Sequence, residues 1–132
     1  MTFTFPGGAR VDGRVGHFVI PTDQPPEASA PSPFTLFLAS IGACAGFYVQ
    51  SFCARRAIPT AGIRVVQRNH VAPDGMVDRI DIDVELPPEF PEHYRDAVVR
   101  AADQCTVKKH LLHPPVTSVR AVTRQPKEMV AV

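Results

Sequence analysis

The chain has 132 residues, of which 45% are apolar and 20% are charged, as expected for one globular domain covering residues 1–132. Its formal net charge of +1 leaves no basic excess to neutralise phosphates, which argues against nucleic acid as a partner. Three cysteines, an odd number, argue against a secreted disulfide framework and favour reduced thiols in the cytoplasm.

The N-terminal region predicts two short strands and a proline-rich loop. Residues 2–5 and 14–20 resemble strands, with a glycine-rich loop between them at residues 6–13. Residues 21–31 form a loop by composition. No basic region followed by an apolar run occurs here, so a secretory signal is not expected.

A long buried helix is predicted from residue 33 to about residue 56. Ser32 suits the N-cap and Pro33 the first helical position, whereas Pro59 lies just beyond the end. Apolar residues occupy all sides of this helix, which is typical of a buried one. Because so small a domain can hardly cover it, we expect a second subunit to do so. Small and polar residues interrupt the apolar run, so a membrane span is not expected.

Residues 63–86 predict a β-hairpin around a Pro-Asp-Gly turn. Apolar and charged residues alternate on both sides of the turn, which is typical of half-buried strands. One register pairs Arg64 with Glu85 and Arg68 with Asp81. In this register the charged residues of the two strands share one face of the hairpin and the apolar residues share the other. A shift of two residues preserves this arrangement, and the register therefore stays open.

A second helix is predicted to start near Pro91, to bend at Cys105 and to end at Leu112. The spacing of its apolar residues places Cys105 on the buried face. Residues 116–123 alternate and predict a final strand. The order of strands, long helix, hairpin, helix and strand predicts a segregated α+β fold.

Cys44 is flanked by two glycines inside the long helix. A free cysteine usually packs as a small hydrophobe, but Gly42 and Gly46 each cost a helix about 1 kcal/mol relative to alanine. Something must therefore approach the helix closely. It is either a substrate at the thiol or a tightly packed neighbouring element without chemistry, and both interpretations stay open.

The other two cysteines differ in their surroundings. Cys105 precedes Lys108 and Lys109, whose charges favour a thiolate, although a solvated basic face is the alternative. Cys53 lies nine residues after Cys44, a rotation of about 900°, and therefore on the opposite helix face. Cys53 is thus expected to be a packing residue.

Metal and cofactor binding find little support in the sequence. The five histidines include no His-x-x-x-His or His-Glu-x-x-His pattern, and no Cys-x-x-Cys occurs. Phosphate-binding and dinucleotide-binding loops are also missing from the sequence. We therefore expect neither a metal nor a cofactor.

Two segments carry a resemblance to a known family. They are PSPFTLFLASIGAC at residues 31–44 and CTVKKHLLHPP at residues 105–115, with the hairpin between them. In these segments the chain resembles the OsmC/Ohr family of osmotically inducible and organic hydroperoxide resistance proteins. The resemblance extends over about residues 7–123. It implies an OsmC-like α+β fold, with antiparallel sheets around long central helices, and an intertwined homodimer.

The resemblance also implies a thiol peroxidase that reduces organic hydroperoxides. Cys44 matches the position that attacks the peroxide and becomes a sulfenic acid, and Cys105 matches the position that resolves it as a disulfide. The family's active-site arginine lies in a glycine-rich loop, which makes Arg10 the first candidate and Arg14 the second. A thiol reductant of the dihydrolipoyl type is the implied partner.

Phe34 marks a departure from the hydroperoxide resistance branch, which carries a glutamate ten residues before its first cysteine. An apolar residue at this position favours a hydrophobic substrate or a packed interface. The alternative function is therefore a non-catalytic homodimer that binds a small apolar ligand between its subunits. Consumption of an organic hydroperoxide separates the two.

Overall fold

The computed structural model describes residues 1–123 of the chain. Along the chain, the protein consists of a small sheet, a long helix, a hairpin and a helical region. The elements are β1 (Thr2–Gly7), β2 (Arg10–Val15), β3 (Phe18–Thr22), α1 (Pro33–Ala54), β4 (Arg64–Val71), β5 (Val77–Glu85), a 3-10 turn (Glu92–Tyr94), α2 (Arg95–Ala102) and α3 (Thr106–Leu112). This order confirms the predicted α+β class.

The N-terminal sheet has three antiparallel strands in the order β1-β2-β3. Its two turns pass through Gly8 and Gly16, whose φ angles of 58° and 59° favour glycine. The predicted loop at residues 6–13 and the single strand at residues 14–20 are therefore wrong. The glycines occupy turns only a few residues apart, and the sequence between them pairs as a strand of its own.

Helix α1 begins as predicted and ends at Ala54, two residues before the predicted end. The side chain of Ser32 accepts a hydrogen bond of 3.1 Å from the backbone N–H of Thr35, which caps the helix. The buried side of α1 faces α2 and the hairpin, where it forms the hydrophobic core. The core residues are Ala45, Val49, Phe52, Cys53, Phe90, Val98 and Ala102.

Much of α1 is nevertheless uncovered. Only 28% of the residues in its most apolar 18-residue window are buried, and by length and composition the helix could cross a membrane. The same properties are found in core helices of soluble proteins. Phe34 and Phe37 stack on each other with ring centroids 5.7 Å apart and are 53% and 40% exposed. The protomer alone thus does not bury the apolar surface of its longest helix.

The β4–β5 hairpin adopts the register that the charge pattern favoured. Arg64 lies opposite Glu85 and Arg68 lies opposite Asp81. Arg64 also forms an ion pair with Glu85 at 2.7 Å, whereas Arg68 reaches diagonally to Asp83. The hairpin packs one face on α1, and the charged pairs lie on its exposed face.

The second helix is divided by a break at residues 103–105, which confirms the predicted bend at Cys105. The predicted final strand at residues 116–123 is wrong, because these residues form no regular element. Val116 and Val119 are 100% and 95% exposed. A strand requires a hydrogen-bonded neighbour, and in the described part of the chain the sheet of β4 and β5 gains no third strand.

Candidate active site

The structure brings Cys44 and Cys105 together. Cys44 lies in the middle of α1, and Cys105 lies in the break between α2 and α3. The two thiols lie close enough for each to shift the pKa of the other. The Sγ atom of Cys105 also lies 3.8 Å from the carbonyl oxygen of Ile41, one turn before Cys44 on α1. The two helices therefore meet at this pair of thiols, whereas Cys53 faces the core.

The start of α3 places backbone N–H groups near both sulfur atoms. The first N–H groups of a helix have no partner within the helix. Cys105 is the N-cap of α3, and its Sγ accepts a hydrogen bond of 3.4 Å from the backbone N–H of Lys108. The backbone N–H groups of Thr106 and Val107, in the same turn, lower the pKa of the Cys44 thiol. One helix start thus serves two sulfurs.

These surroundings separate the pKa values of the two thiols. Burial raises the pKa of Cys44, but donors from Val107, Cys105 and Thr106 outweigh this effect and lower its pKa below the ordinary value. Burial raises the pKa of Cys105, and the neighbouring Cys44 raises it further. Cys44 is therefore the better nucleophile, and Cys105 is the thiol that keeps its proton.

Solvent exposure also indicates that Cys44 is the most reactive of the three thiols. Cys44 is partly exposed, whereas Cys105 is 2% exposed and Cys53 is completely buried. Burial also raises the pKa of Cys53, an effect that the charge of Arg56 opposes only in part. Cys44 alone among the three cysteines combines a lowered pKa with access to a reagent.

The two lysines after Cys105 do not activate it through their charges. The ammonium group of Lys108 forms an ion pair with Asp103, and Lys109 is exposed. The solvated basic face is therefore the interpretation that the structure supports. Lys108 acts on Cys105 through its backbone N–H instead.

The glycines of α1 allow the helix to pack closely against β4 and do not open space at the thiol. A Cβ atom on Gly42 would lie 2.7 Å from the side-chain oxygen of Gln67 on β4. A Cβ atom on Gly46 would lie 3.9 Å from Val65 on the same strand. Because Gly42 is about 200° around the helix from Cys44, the glycines face the hairpin and the thiol faces α3.

Arg10, the predicted partner of Cys44, lies on β2 and pairs with another residue. Its guanidinium group contacts the carboxylate of Asp12 at 2.9 Å. Among residues 1–123, no arginine contributes to the pKa of Cys44. The sheet that carries Arg10 and Arg14 makes few contacts with the other elements of the protomer. The protomer therefore brings neither arginine to the thiol.

Tyr48 is a residue that the sequence analysis missed. Its hydroxyl group lies 2.9 Å from the hydroxyl of Thr106, the first residue of α3. Tyr48 follows Cys44 by four residues and so lies on the same face of α1. That spacing is the signal that could have identified it.

A groove of about 1150 Å³ lies between β5 and the α2–α3 region. Ile41 and Cys105 belong to its wall, together with Leu111 and Leu112 of α3. The groove therefore approaches the thiol pair from the side of Cys105. In the described part of the chain, no group of three or more histidine, cysteine or acidic side chains is placed to hold a metal ion.

Comparisons with known proteins identify the family and the fold. The family model described as OsmC-like protein matches residues 26–120. A crystal structure from Psychrobacter arcticus 273-4, described as an osmotic stress induced and detoxification response protein, has a TM-score of 0.68 and 22% identity. That match covers 82% of this chain and 84% of the other.

A second solved structure, described only as structural genomics, has a TM-score of 0.70 and 16% identity. It covers 86% of this chain and 88% of its own. At these identities, both structures establish a shared fold. No curated protein matches the chain.

Proposed function

The chain belongs to the OsmC-like family, and from that premise we propose that it is a thiol-dependent peroxidase that reduces organic hydroperoxides. The observation that carries the proposal is the placement of Cys44 beside Cys105, where the Sγ atom of Cys105 lies 3.8 Å from the carbonyl oxygen of Ile41 on α1. The pKa values of the two thiols are shifted in opposite directions. Such a pair combines a nucleophile with a protonated resolving thiol. The stress-related description of the Psychrobacter arcticus protein is consistent with this activity.

The first step is the attack of the Cys44 thiolate on the terminal oxygen of a hydroperoxide. The sulfur donates an electron pair to that oxygen as the O–O bond breaks, and the departing alkoxide takes a proton to become an alcohol. Cys44 is left as a sulfenic acid. The N–H groups of Thr106 and Val107 stabilise the negative charge on its sulfur before the attack.

The second step is resolution by Cys105. Its sulfur attacks the sulfenic sulfur of Cys44, a disulfide bond forms, and the hydroxyl group leaves with the proton of Cys105 as water. The raised pKa of Cys105 keeps this proton in place until it is needed. An external dithiol, which we propose to be of the dihydrolipoyl type, then supplies two electrons and two protons to restore both thiols.

The surface around the start of α1 supports an apolar substrate. Phe34 and Phe37 stack on this surface, and both are at least 40% exposed. A second subunit that covers part of α1 would form an apolar wall near Cys44. We propose that this homodimer is the active form and that it operates in the cytoplasm.

The same exposed aromatic pair also suits the second candidate function, a non-catalytic homodimer that binds a small apolar ligand. The two functions differ in whether the thiols turn over. Only the peroxidase consumes a hydroperoxide in proportion to an added dithiol.

The test is the consumption of cumene hydroperoxide by the reduced protein in the presence of dihydrolipoamide. We expect multiple turnovers by the wild-type chain, no turnover by Cys44→Ser, and retained turnover by Cys53→Ser as the matched control. If the wild-type chain consumes no more peroxide than Cys44→Ser, peroxidase activity is excluded and the ligand-binding function becomes the better account.

A further inference from the structure

Helix α3 has few buried contacts that could fix its position relative to Cys44. It spans seven residues, Thr106–Leu112, and none of them is buried. Its N-cap, Cys105, is buried, but a single small side chain does not fix the orientation of the turn that follows. Since Cys105 holds the start of that turn against α1 near Cys44, a further contact that fixes the turn would influence the thiol.

The hydrogen bond between Tyr48 and Thr106 is such a contact. It joins two hydroxyl groups at 2.9 Å across 58 residues of sequence. Tyr48 lies one helical turn after Cys44, and Thr106 is the first residue of α3. The bond therefore connects the α1 face that carries the nucleophile to the helix start that surrounds it.

We propose that Tyr48 is a positioning residue for Cys44, acting through Thr106 to hold the first turn of α3 against the thiol. Tyr48 does not contact the reacting atoms in this role. It sets the distance and direction of the backbone donors, on which the stabilisation of a thiolate depends. The consequence for turnover rests on the proposed peroxidase function, whereas the effect on the thiol itself does not.

The charged groups near the thiol pair stay the same when the hydroxyl group of Tyr48 is removed. A change in the reactivity of Cys44 can therefore be assigned to the lost hydrogen bond. On the α3 side, Lys108 is paired with Asp103, and among the described residues Cys105 is the one titratable side chain that shifts the pKa of Cys44. On the hairpin side of the groove, Arg68 is paired with Asp83. Removal of a neutral hydroxyl group changes none of these charges.

The test is the pH dependence of Cys44 alkylation by iodoacetamide in Tyr48→Phe. This variant keeps the ring and loses only the hydroxyl group. We expect the pH profile to move to higher pH and the rate near neutrality to fall by about three- to tenfold, which is the factor that one net hydrogen bond supplies. Tyr94→Phe, at the other tyrosine of the chain, is the matched control and should leave the profile unchanged.

Thr106 provides the reciprocal test. Thr106→Val should reproduce the shift of Tyr48→Phe, and Thr106→Ser, which keeps a hydroxyl group, should restore the wild-type profile. The double variant Tyr48→Phe/Thr106→Val should shift the profile no further than either single variant, because both remove the same bond. An unchanged profile in Tyr48→Phe, or a Thr106→Ser variant that behaves like Thr106→Val, would overturn the proposal.

The alkylation readout separates this inference from the proposed function. It requires no peroxide, so a shifted profile in a protein without peroxidase activity would refute the function and leave the positioning role intact. Turnover by the wild-type chain with an unshifted Tyr48→Phe profile would refute the positioning role alone.

Discussion

Cys44 and Cys105 lie side by side, yet their surroundings predict different reactivity. The thiolate is the reacting form, and the lowered pKa of Cys44 increases its thiolate fraction at neutral pH. The raised pKa values of Cys105 and Cys53 decrease theirs. We therefore expect iodoacetamide to label Cys44 first near neutral pH, with a rate that falls as pH decreases through its pKa. Peptide mass spectrometry checks the order, and equal labelling of Cys53 would contradict it.

Substitution of Arg10 tests whether an arginine increases the reactivity of Cys44 in addition to the backbone N–H groups of α3. In the protomer it pairs with Asp12, so an effect on Cys44 requires the N-terminal sheet of a second subunit. If that subunit brings Arg10 to the thiol, Arg10→Ala should slow alkylation of Cys44 about tenfold or more, the effect of a nearby opposite charge. Arg14→Ala is the matched control and should have no such effect.

The outcomes of the arginine experiment are distinct. An effect of Arg14→Ala without one of Arg10→Ala would show that Arg14 is the partner of Cys44. If neither variant changes alkylation, the helix start of α3 accounts for the lowered pKa without an arginine.

The identity of the two site cysteines could be predicted from the sequence, but the cause of their reactivity could not. The segments around Cys44 and Cys105 carry a family resemblance, and helix periodicity already assigned Cys53 to the opposite face. The donors from Thr106 and Val107 depend on where the first turn of α3 lies relative to α1. That position is set by tertiary contacts between residues distant in sequence, such as the bond from Tyr48 to Thr106.

The packing of α1 on β4 yields a prediction from its two glycines. Gly46→Ala should stabilise the fold by up to about 1 kcal/mol, because alanine favours the helix and its Cβ would make an ordinary contact with Val65. Gly42→Ala should gain less or lose stability, since its Cβ would displace the side chain of Gln67 from the carbonyl oxygen of Leu38. Urea unfolding measures both.

A rescue variant identifies the cause in the Gly42 experiment. Adding Gln67→Ala to Gly42→Ala should remove the clash, so the double variant should be more stable than the sum of the single effects predicts. Equal stabilisation by both glycine variants would show that Gln67 does not restrict this face of α1.

The hairpin and the N-terminal sheet show why some elements could be predicted and others could not. In the hairpin, charge pairs and apolar pairs indicated the same register, which the pairing of Arg64 with Glu85 confirmed. In the N-terminal region, turns at Gly8 and Gly16 lie so close together that β2 was interpreted as part of a loop. The wrong strand at residues 116–123 had the right alternation, but within residues 1–123 no strand pairs with it.

The protomer leaves an unusual amount of aromatic surface uncovered. All residues of β1 are exposed, and Phe5 is 82% exposed, while Phe18 of β3 and Phe47 of α1 are each 63% exposed. Large exposed apolar surface on a soluble protein often marks an interaction site. A second copy of the chain is the partner that the resemblance to intertwined dimers implies.

We therefore predict an obligate homodimer. Light scattering in dilute neutral buffer should give about twice the chain mass of 14.4 kDa. Phe47→Asp should weaken the dimer, because Phe47 is an aromatic side chain exposed in the single chain, and Glu89→Lys, at an exposed position that already carries a charge, serves as the control. A stable monomer at low micromolar concentration would contradict this prediction.

The central claim is that Cys44 and Cys105 form one redox unit, and peptide mapping after oxidation tests it most directly. One equivalent of cumene hydroperoxide should join Cys44 to Cys105, because the two thiols are neighbours, and should leave the fully buried Cys53 free. In Cys105→Ser, Cys44 should proceed to sulfinic acid, since no thiol remains to resolve it. An unreacted Cys44, or a crosslink through Cys53, would contradict the account.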